Sequence, residues 1–313
     1  NVAIGKDALT TSHNGDDCIA IGKGALSANT AGEIIAIGTS AADANTSGAR
    51  NIAIGTNAYG ASDTESDNMA IGHAAMGTDT AGGIQNIALG NYALDTLTSG
   101  DGNVGMGFQA LSAITTGDDN TAVGRNALLL NTTATGNTAV GMNAMDANTT
   151  GASNVGIGYY CLSANTTASF NTAVGVAAMQ TATTGHSNTA IGYSAMQQSA
   201  VSGNFNTAVG YTALFAITSG ANNVAVGNGA LDAQTTGDAN VAIGNSALSA
   251  NTTTAGNVGV GSSSLAANTA AGNTAVGANS AGSNTSGVRN TAVGYNAYDA
   301  SDTENDNTAI GHN

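Results

Sequence analysis

One hydrophobic and polar pattern organises the whole chain. A short alternating segment, such as Asn51-Ile52-Ala53-Ile54-Gly55 or Asn137-Thr138-Ala139-Val140-Gly141, returns about every 17 residues, with its closing glycine running from Gly5 to Gly311. The spacing is mostly 17, with a few steps of 16 and 18. Counting each unit from its Asn as position 1, position 2 is mainly Thr, Val or Ile, and position 3 is Ala or Gly. Position 4 is always aliphatic or Met, position 5 always Gly, position 8 nearly always Ala, and position 9 usually Leu or Met. Positions 12 to 15 tend to read Asn-Thr-Thr-Gly.

Positions 2 to 4 are short, β-branched and alternating, which predicts a strand. The glycine at position 5 predicts a turn or a positive φ. Positions 8 to 11 are expected to form a second short strand, and Asn-Thr-Thr-Gly to turn the chain back. Glycine recurs too often for a helix, each interior one costing about 1 kcal/mol relative to Ala. The predicted fold is all-β: a parallel β-solenoid of about 18 coils with a period near 17 residues, one continuous repeat region over 1–313. Stacked at about 4.8 Å per strand, such coils would extend over roughly 85 Å. Asn at positions 1 and 12 is expected to form amide ladders along the stack. The extra residues before Asn86 and Asn206 are expected in surface turns.

Only positions 4 and 9 are regularly large and apolar, so both are expected to fill a narrow interior. Two arrangements would stabilise it: tight Ala and Gly packing within one chain, or several chains sharing a core. A longer period is superposed. Asn45–His73 and Asn284–His312 match at 22 of 29 positions, offset by 239 residues. This super-repeat and the ends, both inside repeats, lead to the expectation of a segment of a longer fibre.

Composition narrows the function classes. Asp and Glu total 20 against five Lys and Arg, a net charge of −15. That disfavours nucleic acid, whose phosphates call for clustered basic residues. There is no run of about 18 apolar residues to predict a membrane span. Cys18 and Cys161 lie many coils apart and are expected to fill repeat positions rather than to pair.

Candidate chemistry is sparse. His73 and His312 occupy equivalent positions after the glycine, while His13 and His186 stand alone. In a trimer, either equivalent His would meet two copies of itself, a geometry that suits a metal ring or simple stacking. The turns Asp63/Glu65/Asp67 and Asp302/Glu304/Asp306 are oxygen-rich and fit either Ca²⁺ binding or plain solvation. Asn-x-Ser/Thr sequons at Asn45, Asn131, Asn148, Asn165, Asn251 and Asn284 follow from the Asn-Thr-Thr turn. Gly105-Met106-Gly107 arises because position 3 becomes Gly, not from a nucleotide loop. No catalytic, cofactor or metal residue is assigned, and no enzyme is expected. Position 6 is often large, as in Phe108, Tyr159, Tyr193, Tyr211 and Tyr295, which fits lateral display or packing over the turn.

The units Asn51–Gly55 and Asn137–Gly141 resemble the head repeats of YadA-like trimeric autotransporter adhesins. The longer stretch Asn137–Gly151 is similar to repeats of phage tail-fibre proteins, and the resemblance covers essentially the whole chain. The period is longer than that of the adhesin heads. The resemblance implies a left-handed, homotrimeric β-roll, extracellular on a virion fibre or a cell-surface filament. The expected function is the structural shaft of a fibre supporting attachment to a host receptor or matrix. Its expected partners are copies of itself, in a trimer and also end to end. A self-assembling extracellular filament is the alternative, and an ice-binding solenoid, invited by the Thr at position 2, is the minor one.

Overall fold

The computed structural model describes residues 1–11, 15–61, 64–78, 83–198, 200–300 and 302–312. The chain divides into two compact units, 1–154 and 155–313. The first contains β1 (Val2–Ile4), β2 (Ile19–Ile21), β3 (Ile35–Ile37), β4 (Ile52–Ile54), β5 (Met69–Ile71), β6 (Ile87–Leu89), β7 (Val104–Met106), β8 (Thr121–Val123) and β9 (Thr138–Val140). The second contains β10 (Val155–Ile157), β11 (Thr172–Val174), β12 (Thr189–Ile191), β13 (Thr207–Val209), β14 (Val224–Val226), β15 (Val241–Ile243), β16 (Val258–Val260), β17 (Thr274–Val276), β18 (Thr291–Val293) and β19 (Thr308–Ile310). Among the described residues there is no helix.

Within each unit every strand pairs in parallel with its successor, like position on like: Ala53 opposes Ala70, and Ile54 opposes Ile71. Each unit is therefore a parallel β-solenoid with one coil per repeat. The 18-residue coil from Thr189 to Thr207 keeps this register, so its extra residue is absorbed outside the sheet.

The interior differs from the sequence expectation. Along each strand from β2 to β18 the middle Ala or Gly is buried, while the residues on either side face outward, as in Thr121-Ala122-Val123. Position 4 is thus not a core position. The core of a coil comes from positions 1, 3, 8, 9 and 12; Asn120, Ala122, Ala127, Leu128 and Asn131 are all fully buried. The inward residue between two outward aliphatics must be small, because the opposite wall of the coil lies close behind it. Gly105 shows the limit: a Cβ there would meet Leu94 Cδ1 at 2.2 Å.

The second strand expected at positions 8 to 11 does not form. Two consecutive turns take its place, closed by Ala127 N–H to Gly124 C=O at 3.3 Å and Asn131 N–H to Leu128 C=O at 3.2 Å. Asn126 and Leu128 have φ of 57° and 50°, so the backbone alternates into the left-handed region and cannot extend. Stacking stabilises the arrangement, since Leu128 N–H donates to Ala144 C=O of the next coil at 3.0 Å. Left-handed backbone is especially hostile to β-branched side chains. That explains why position 9 uses Leu and Met, never Ile or Val, although position 4 uses Ile and Val freely. At position 5, Gly124 has φ 134°, and a Cβ there would lie 2.6 Å from the carbonyl oxygen of Gly141. Only glycine fits where successive coils approach so closely.

The position-1 amide ladder exists. Asn51 Oδ1 accepts the backbone N–H of Asn68 at 2.9 Å, and Asn68 Oδ1 accepts that of Asn86 at 2.8 Å. The side-chain amide reaches across the coil, as Asn120 Nδ2 does to Ala134 C=O at 2.8 Å. Every polar atom of a fully buried amide is thereby used, as burial demands. At position 12 the ladder is local: Asn148 Nδ2 approaches Asn131 Oδ1 at 3.5 Å, but Leu97, Ile114 and Ile217 interrupt the row.

Candidate functional surface

The feature that is not used up in folding is the outward face of the sheet. Positions 2 and 4 put two side chains per strand on it. No charged residue occurs in any strand from β1 to β19, although the chain has 25 charged residues, 20 acidic and five basic. Within each unit position 4 gives an unbroken row of aliphatic side chains and Met106, and Leu89, Ile157 and Ile191 remain 38 to 40% exposed. In the second unit, ten strands at about 4.8 Å spacing and three residues at about 3.3 Å each make a strip of about 480 Å². Position 2 is Thr in six of these ten strands, so the apolar part is the position-4 half of the strip, and contiguous apolar rows of a few hundred Å² mark contact surfaces. Sequence reasoning missed this face because it placed position 4 inside. The signal that reveals it is the invariably small residue at position 3.

The margins of the strip carry the position-6 side chains that the sequence singled out. Phe108, Tyr159, Tyr193, Tyr211 and Tyr295 are all exposed. Tyr193 and Tyr211, on neighbouring coils, stack with ring centres 5.4 Å apart and planes 8° from parallel. Tyr295 stacks on His312 at 5.2 Å, and His73 meets Tyr92 edge-on at 5.3 Å. Both equivalent histidines thus rest against Tyr rings. His186 accepts the Ser169 backbone N–H on Nδ1 at 3.0 Å, while the His186 backbone N–H donates to Asn204 Oδ1 at 2.7 Å. His13 lies outside the described residues.

His186 belongs to a second ladder that the sequence reading did not anticipate. At position 16 a side-chain acceptor takes the backbone N–H of the preceding coil. Asp101 does so for Ile84 and Asp118 for Asp101, at 2.8 and 2.9 Å. Asp238 serves Ala221 and Asn305 serves Val288 in the same way. The recurring Asp, Asn, Ser or His two residues before the Asn was the available signal.

Part of each acidic turn is engaged within the chain, while Asp302 and Glu304 of the second are exposed. Asp67 binds the Arg50 guanidinium through both oxygens at 2.6 and 2.8 Å, and Asp306 binds Arg289 at the same distances. The arginine hydrogen bond holds each carboxyl below the usual range. Glu65 is buried and accepts from the Thr64 N–H and hydroxyl at 3.2 and 2.9 Å. Asp63 lies outside the described residues. Among the described residues no three His, Cys, Asp or Glu side chains converge as metal ligands.

The super-repeat has a structural meaning. In both copies Tyr replaces Leu or Met at position 9. Asn68 Nδ2 donates to Tyr59 Oη at 3.0 Å, and Tyr59 donates to Glu65 C=O at 3.1 Å. Asn307 donates to Tyr298 at 2.7 Å in the second copy. Arg, Tyr, Glu and Asp therefore recur together as one variant coil.

Other candidates are internal. All six sequon asparagines sit at position 12 and are fully buried, out of reach of a glycosylating enzyme in the folded chain. Cys18 and Cys161 are free and buried, and burial pushes the Cys161 thiol up to about 12. Asp95, Asp146 and Asp232 occupy position 10, where partial burial raises each carboxyl above the ordinary range. Asp232 borders an open groove of about 480 Å³ with Gln198, Ala216, Ala233, Ser249 and Ala250. No constellation of nucleophile, base and oxyanion donors is present among these residues.

Comparison with known proteins finds no matching family model and no matching curated protein.

Proposed function

We propose that the chain is a length of fibre shaft, a structural element that assembles with copies of itself into an extracellular homotrimer, wound left-handed as the resemblance of its repeats to the adhesin heads implies. The observation that carries this reading is the half-exposed, charge-free aliphatic row at position 4. In a parallel, in-register trimer each residue faces its own copies across the axis. A charge on that face would meet like charge, which is costly, whereas Ile and Val gain about 25 cal/mol for each Å² of apolar surface buried. The row is uncharged in all 19 strands, while the acidic residues lie off the sheet.

The rest of the molecule suits a spacer. Hydrogen-bond ladders at positions 1 and 16 tie each coil to the next within a unit. Such nearest-neighbour stabilisation lets an array be extended without a new core. The shaft would carry a tip that meets a host receptor or matrix. Electron microscopy of the purified protein tests this: uniform slender rods with threefold averaged sections are expected. Single-chain particles, or globular aggregates, would contradict it.

A further inference from the structure

From residue 147 to residue 231 the sequence contains no Asp, Glu, Lys or Arg, 85 consecutive residues in a chain of net charge −15. The two most exposed phenylalanines of the protein lie inside this stretch. Phe170 is 65% exposed and Phe205 62%. Each stands two residues before a strand, β11 and β13 respectively, on one margin of the outward sheet face.

Neither ring is there for folding. Both residues have positive φ, 64° for Phe170 and 59° for Phe205. That backbone is unfavourable for a bulky side chain. The equivalent residue elsewhere is small or polar, as in Asp67, Asp119, Gly136, Asn222 and Ala239, or long and charged or amidic, as in Glu33, Arg50, Gln85 and Arg289; no other coil places an aromatic ring there. Phe gains neither conformational ease nor burial at this place. Among the described residues neither phenyl makes a ring contact, in contrast to Tyr193 and Tyr211 on the opposite margin. Between the two rings, on the intervening coil, stands Ser187 at the same repeat position, also with positive φ. The margin thus reads ring, hydroxyl, ring, with the rings two strands apart, about 9.6 Å.

We propose that this margin binds a neutral polysaccharide. Sugar rings present an apolar C–H face, which stacks on phenyl rings, and a rim of hydroxyls, which exchange hydrogen bonds with Ser187. A repeating chain lying along the coils meets the two rings in turn. The absence of Lys and Arg favours an uncharged glycan over an anionic one, because the stretch holds no permanent cation to neutralise carboxylate or sulfate. It also separates this site from contact between copies. The apolar row that suits copy–copy contact runs through every strand, whereas a phenylalanine two residues before a strand occurs only at β11 and β13.

The test is co-sedimentation of the full chain with insoluble cellulose, chitin and β-1,3-glucan, with calcium alginate gel as the anionic comparison. The variant is Phe170→Asn with Phe205→Asn. We expect retention on at least one neutral polymer and little on alginate. The double variant should bind about tenfold more weakly, with an unchanged or higher Tm, because Asn accepts the left-handed backbone better than Phe. Phe108→Asn, an exposed ring outside the uncharged stretch, should bind as the parent does. Absence of retention on all three neutral polymers would overturn the proposal. So would retention of the double variant equal to the parent's. A change in the variant's mass in solution would assign the rings to copy–copy contact instead, and would equally overturn it.

Discussion

Asn103 Oδ1 accepts the backbone N–H of Asn120 at 3.0 Å, and Asn120 Oδ1 does the same for Asn137. A fully buried amide therefore hands one hydrogen bond to the next coil, while its Nδ2 closes its own coil on Ala134 C=O. Asn120→Ala would leave the Asn137 N–H and the Ala134 carbonyl buried without these partners. Each such orphan costs about 1–3 kcal/mol. Urea denaturation should show a loss of about 2–5 kcal/mol, whereas Thr121→Val, on the outward face of the same coil, should stay within about 0.5 kcal/mol.

Position 9 offers a separate test of the backbone. Leu128 is buried at φ 50°. Leu128→Ile keeps the volume but places a β-branched side chain on left-handed backbone, at a cost of about 1–3 kcal/mol. Leu128→Met keeps the branching acceptable and should cost under about 1.5 kcal/mol. Equal melting temperatures for the two variants would show that the left-handed turn is not what selects residues here.

Gln234 is a defect in the core. It is fully buried at position 12, where Ile217 precedes it one coil earlier, and neither side-chain polar atom has a hydrogen-bond partner. Gln234→Leu should therefore raise stability by about 1–3 kcal/mol, the penalty for burying unpaired polar groups. Thermal melting checks the sign, and a lowered Tm would mean that the amide is satisfied in solution.

Asp232 predicts a pH dependence. Its Oδ1 is buried without a partner, and desolvation raises its carboxyl above the ordinary 3.8. The folded state therefore holds this proton more tightly than the unfolded state. The destabilisation begins above the ordinary value, grows until the raised folded value is passed, and is then constant. Asp232→Asn should be the more stable protein at pH 7, and the two should melt together below about pH 3.8. A difference that widens toward acid would refute the assignment.

Much of this architecture was legible in the sequence, and the rest was hidden for identifiable reasons. The period, the strand at positions 2 to 4, the glycine at 5 and the Asn ladder all follow from residues that recur for local steric or hydrogen-bonding reasons. The facing of the strand did not follow. In Ile52-Ala53-Ile54 the outward pair is more hydrophobic than the inward residue, the reverse of ordinary burial. The inner wall is too close for anything larger than Ala, so size rather than hydrophobicity selects the core residue. The turn over positions 8 to 11 was misread as a strand because Ala and Leu carry no turn signal of their own. The absence of β-branched residues at position 9 was the overlooked mark of left-handed backbone. The Arg50–Asp67 pair was masked by the acidic turn that contains it, since its partner lies one coil away.

The central claim is that the charge-free outward row is covered by copies of the chain. The mass in solution, by light scattering across a range of concentrations, tests it most directly. One chain is 30.1 kDa, so the trimer is expected at three times that value, about 90 kDa. Val174→Asp, which sets a carboxylate in the row without touching the core, should return the mass to that of one chain while the coil structure persists. A single-chain mass for the unmodified protein at every concentration would contradict the account.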